Sequence, residues 1–96
     1  MDQIQRIAHM EAILDQAEEA VSALDRALDR WAALQEGLAE LEAYYSGGAW
    51  MRDYADDEAG KLPEGLKRGV LSEDAVYDLL SDRDRLRLRM TELGRG

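Results

Sequence analysis

Cysteine is absent from the 96-residue chain, which excludes a disulfide framework, a thiolate nucleophile and any zinc site that uses cysteine. Proline occurs once and aromatic residues make up only 6%, so little interrupts a helix and little bulk is available for a large core. No apolar run approaches the roughly 18–20 residues needed to cross a bilayer. The start, Met1 to Glu11, has neither a basic nor an apolar leader segment, which gives the expectation of a cytoplasmic protein without a membrane association. Positive charge is also scarce: 21 acidic residues against 12 basic ones leave a net charge of −9. That balance disfavours direct binding to nucleic-acid phosphates or anionic headgroups.

What is present is helix-forming. From Asp2 to Tyr45 there is no proline and one glycine, in a background of Ala, Leu, Glu, Gln, Asp and Arg, and this predicts one long helix over about 2–45. Asp2 followed by Gln5 reads as a capping box that places its start. Ile7, Met10, Leu14, Ala17, Val21, Leu24, Leu28 and Trp31 recur in three-four alternation and draw one apolar stripe. Leu34, Leu38, Leu41 and Tyr45 continue it after a skip near Gln35 and Gly37, read as a bend. Residues 46–71 form a structured connector, opened by Ser46-Gly47-Gly48, with a short helix over about 49–58 that sets Trp50 and Tyr54 on one face and stops at Gly60. Ser72, with Glu73 and Asp74 in the first turn, is the expected N-cap of a last helix over about 73–93. Its stripe is Val76, Leu79, Leu86, Met90 and Leu93, interrupted by Arg83.

The expected architecture is therefore a single all-α domain over 1–96, the C-terminal helix packed back antiparallel on the first. Helices of about 65 Å and about 30 Å cannot cover one another fully. The remainder of the first stripe calls for the connector, a second chain, or both. Charge favours the pairing, since residues 1–46 hold ten acids and three bases while Arg83, Arg85, Arg87 and Arg89 concentrate in the last helix.

Chemistry-bearing patterns are sparse. His9 is the sole histidine and falls off the stripe, where an exposed helical position explains it. Ser22, Ser46 and Ser72 lie in no Gly-x-Ser-x-Gly elbow. Asp53, Asp56, Asp57 and Glu58 lack the alternating ligands and central glycine of a calcium loop, and read as charges balanced by Arg52, Lys61, Lys67 and Arg68. Gly60-Lys61 and Lys67-Arg68-Gly69 lack the spacing of a phosphate loop. No catalytic residue, metal ligand or cofactor is assigned. Five of six aromatics fall between residues 44 and 77, so a partner site is expected at Tyr44, Tyr45, Trp50 and Tyr54 with Lys67 and Arg68.

Leu41 to Tyr45, Gly48 to Tyr54, Asp57 to Pro63 and Leu66 to Asp74, together with Arg6-Ile7, Met10-Glu11, Ile13 to Asp15 and Val76 to Leu80, resemble the small bacterial domain-of-unknown-function family 4298. The resemblance spans nearly the whole chain and implies a bacterial, stand-alone protein of this size; it carries no activity, cofactor or catalytic residue. The expected function is a non-enzymatic protein–protein interaction module that forms a homodimer through Leu14, Val21, Leu24 and Leu28 and presents its connector to another protein. One alternative is an acidic inhibitor or nucleic-acid mimic acting through Asp15, Glu18, Glu19, Asp25 and Asp29. The other is a small-molecule or metal-dependent enzyme built on the connector.

Overall fold

The computed structural model describes residues 2–96. Among them are four α-helices and no strand, with 81% of the chain helical. The helices are α1 (Gln3–Ala33), α2 (Gln35–Ser46), α3 (Gly48–Glu58) and α4 (Ala75–Gly94), with a single 3₁₀ turn at Gly69–Leu71 before α4. The fold is all-α, as the composition dictates. The chain divides into two compact units, Met1–Glu36 and Gly37–Gly96.

In the first unit α1 begins on the expected capping box. The Gln5 amide donates to Asp2 Oδ1 at 2.8 Å, and the Asp2 amide donates to Gln5 Oε1 at 3.2 Å, so two otherwise orphan donors are satisfied reciprocally. The single helix expected over 2–45, with a bend near Gln35 and Gly37, is instead divided at Leu34 into α1 and α2. There the Trp31 carbonyl accepts both the Leu34 amide at 3.2 Å and the Gln35 Nε2 at 2.9 Å. A side chain inserted into the i→i−4 ladder, with the adjacent N–H shared between two carbonyls, is enough to end α1 and start α2. No described residue of α1 is buried. Ile7, Met10, Leu14, Val21, Leu24 and Leu28 are all exposed, and Trp31 is half-buried.

The second unit carries the core. Leu38, Trp50, Leu71 and Val76 are its buried apolar residues, with Leu41, Tyr45, Tyr54, Leu62, Leu80 and Leu86 half-buried around them. Gly47, extended at φ −91°, is the only residue between α2 and α3. A Cβ there would lie 3.1 Å from the Ala43 carbonyl, so the tight approach, not a positive φ, calls for glycine. The short connector helix is present as α3, one residue longer at its start than expected. It stops at Gly60, whose φ of +72° is costly for residues with a Cβ. The Gly60 amide donates to the Asp57 carbonyl and the Lys61 amide to the Asp56 carbonyl, the paired bonds of a Schellman motif.

The last helix starts two residues later than the Ser72 cap implied. Ser72 is extended and ends the 3₁₀ turn, and Glu73 accepts the Tyr54 hydroxyl at 2.6 Å; the first α4 bond runs from the Asp78 amide to the Asp74 carbonyl at 2.8 Å. The inner face of α4 is also displaced: Val76 and Arg83 are buried and Leu80 and Leu86 half-buried, while Leu79, Met90 and Leu93 are exposed. Arg83 therefore occupies the core face instead of merely breaking it. Its Nη1 donates to Glu42 Oε2 at 2.8 Å and its Nε to Asp84 Oδ1 at 3.0 Å. The pair to Glu42 brings α4 back to α2, an arrangement that accommodates an antiparallel return.

Candidate functional site

Three aromatic side chains form the spine on which the site is built. Tyr45 meets Trp50 edge-on, with centroids 5.1 Å apart at 71°, and Trp50 stacks on Tyr54 at 5.2 Å and 19°. Both geometries are favoured by the ring quadrupoles. The Trp50 indole N–H donates to the Val70 carbonyl at 2.9 Å, tying α3 to the 3₁₀ turn. The glycine-rich connector thereby keeps a defined path.

Beside this spine lies an open concavity of about 320 Å³, at the small end of the range for small-molecule sites. Leu62, Leu66, Val70 and Leu71 make its apolar wall, and Tyr44, Asp53, Lys67 and Arg68 bring polar atoms to it. Tyr44 donates to Asp53 Oδ2 at 2.7 Å, and this bond to a carboxylate, followed by desolvation, pushes the phenol up to about 12. Tyr54, outside the concavity, is likewise pushed up to about 12, chiefly by its bond to Glu73. Both are neutral at neutral pH and donate to carboxylates, Tyr44 to Asp53 and Tyr54 chiefly to Glu73. Arg68 bonds Asp57 through Nη1 at 2.6 Å and the Glu64 carbonyl through Nη2 at 3.4 Å. Lys67 makes no hydrogen bond or ion pair with any described residue.

The six residues expected at a partner site thus fall into two roles. Tyr44, Lys67 and Arg68 line the concavity, whereas Tyr45, Trp50 and Tyr54 form the support next to it and do not line it. Of the four bases expected to balance the connector carboxylates, Arg68 pairs with Asp57 and Lys61 loosely with Asp56 at 3.9 Å, while Arg52 and Lys67 form no ion pair with a described residue. Sequence reasoning missed Arg83. The signal was an arginine at a stripe position of α4 together with Glu42 beside the continuing stripe of α2. The hydrogen bond and charge of Arg83 hold the Glu42 carboxyl below its ordinary value, and the same bond raises Arg83 further.

Chemically the concavity offers an apolar dish, one uncommitted ammonium and a phenol–carboxylate pair already satisfied. Among the described residues no group of three or more His, Asp or Glu side chains is placed to hold a metal ion, and no helix is long and apolar enough to cross a membrane. Fold and site together define a small helical protein with a long exposed apolar stripe and a shallow aromatic-backed concavity. The chain belongs to the family described as Domain of unknown function (DUF4298), which matches residues 7–93. No curated protein and no solved structure matches it.

Proposed function

We propose that this protein is a non-enzymatic interaction module that self-associates through α1 and offers the connector concavity to a second protein. The observation that carries the reading is the α1 stripe: eight positions in three-four alternation from Ile7 to Trp31, with none buried. Helices in proteins are stabilised mainly by packing an amphipathic face, and a seam of this regularity is the pattern that pairs helices. A contiguous apolar surface of this kind marks an interaction site more often than an idle face. Leu14, Val21, Leu24 and Leu28 lie along its middle and provide the contact.

The concavity supports the second half of the reading. Tyr44, Asp53 and Arg68 are spent on structural bonds, which suits binding better than turnover. The apolar wall with Lys67 at its edge fits a partner segment that brings an apolar side chain next to a carboxylate. Sedimentation equilibrium over a hundredfold concentration range tests the self-association: a mass that rises to a dimer or beyond is expected. A monomer at every accessible concentration would falsify it.

A further inference from the structure

We infer that two copies of this chain pair along α1 as a parallel, in-register, two-stranded coiled coil; the claim rests on the self-association reading above and adds its stoichiometry and direction. With Ile7 taken as the first position of a heptad, Ile7, Leu14, Val21 and Leu28 fall at a, and Met10, Ala17, Leu24 and Trp31 at d. The register holds without a skip until the interruption at Leu34. β-Branched residues at a, here Ile7 and Val21, combined with leucine at d, here Leu24, favour two strands in parallel assemblies.

The flanks of the seam choose the direction. One flank, position e, carries Glu11, Glu18 and Asp25, all exposed. The other, position g, carries Arg6, Ile13 and Ala20 in the corresponding turns. In an antiparallel pair e faces e, so Glu18 would meet the second copy's Glu18 and each Glu11 would meet an Asp25, making three like-charge contacts. In a parallel pair each g residue faces the e residue five positions later on the other chain. Arg6 then meets Glu11 twice by symmetry, Glu18 lies over Ile13, and Asp25 lies over Ala20. Each surface contact is small, but every one changes in the same sense.

A parallel seam has both chains leave it at the same end, so two copies of residues 37–96 follow from one place. One assembly then presents two concavities to a partner, which raises avidity for a partner with two matching segments.

The absence of cysteine makes a single introduced thiol a unique labelling site. Nitroxide labels at Gln3→Cys and, in a separate protein, Ser22→Cys lie at exposed positions off the a and d rows or at the helix start. Dipolar distances should be short for both in the full-length assembly, about 15–25 Å, since paired helix axes lie about 8–10 Å apart. A separation of about 45 Å at residue 3 with a short one at residue 22 would mean antiparallel pairing, given a rise of 1.5 Å over about 30 residues; it overturns the direction and leaves self-association standing. More than two coupled spins per assembly would overturn the two-stranded stoichiometry. Absence of coupling at residue 22, whether the mass is monomeric or not, removes the interface from α1 and overturns both readings.

Discussion

Trp50 does three things at once: it fills the 37–96 core, stacks on Tyr54 and bonds the Val70 carbonyl. Trp50→Ala should therefore destabilise the protein by about 3–5 kcal/mol, much of the stability a domain of this size holds; urea denaturation followed by far-ultraviolet circular dichroism measures it. Tyr44 and Tyr54 make a prediction about alkali. Their folded pKa values, about 12, lie above the ordinary 10.0, so their bonds to Asp53 and Glu73 contribute stability below pH 10 that disappears as pH rises from 10 to 12. Tyrosinate absorbance arising near pH 12 should shrink in the Tyr44→Phe, Tyr54→Phe double variant. Glu42 acts with the opposite sign: its lowered pKa means the Arg83 bond contributes above the ordinary carboxyl value and is lost as pH falls through the depressed one. Trp50 with Tyr54 was legible because both sit on one helix at i, i+4. Arg83 was not, because its partner is 41 residues away and no local spacing encodes an ion pair between separate helices.

At the scale of elements, the helix ends show where local chemistry decides and where packing does. The Asp2–Gln5 box and the Gly60 stop depend on neighbouring residues alone, and both could be read directly. Gly60→Ala should lower stability by about 1 kcal/mol through its left-handed backbone alone, since a Cβ there meets nothing within 4 Å; a shift of the thermal midpoint without a change in spectrum checks it. The start of α4 was read two residues early because Ser72, Glu73 and Asp74 are all good first-turn residues, and only the contact of Glu73 with Tyr54 settles which of them the helix spares. The interruption at Leu34 was legible only as a skip in the stripe near Gln35 and Gly37 and so as a bend, since Ala33, Leu34, Gln35 and Glu36 favour helix and the break lies in where the Gln35 side chain reaches. For α1 the decisive variant is Leu24→Asp. In a single chain Leu24 is 59% exposed, so a lone helix would tolerate the charge within about 0.5 kcal/mol, whereas in a seam it is a desolvated carboxylate. The variant should lose self-association, and its melting temperature should fall below that of the parent only at concentrations where the parent assembles.

For the molecule as a whole, the charge distribution places the negative excess on residues 1–46 and leaves 47–71 nearly neutral, with five acids and four bases. Titration calorimetry with Ca²⁺, Mg²⁺, Mn²⁺ and a nucleotide panel should give no binding heat in the micromolar range. Heat lost on Asp57→Asn would instead identify a cation site, and heat lost on Arg68→Ala an anion site. The Glu42–Arg83 pair, spanning 41 residues, is the longest side-chain closure within residues 37–96 and bears on how fast that unit folds. The other bonds that close residues 37–96 are shorter in span, among them Trp50 to Val70 across 20 residues, Tyr54 to Glu73 across 19 and Arg68 to Asp57 across 11, and the entropy of closing such loops grows only logarithmically with their length. Helical chains with near-neighbour closures refold in roughly microseconds to milliseconds. This half of the protein should regain its Trp50 environment in one fast first-order phase whose rate ignores dilution. On the proposed pairing, burial of the α1 stripe requires a collision between two chains, so a second phase should follow whose rate rises in proportion to protein concentration.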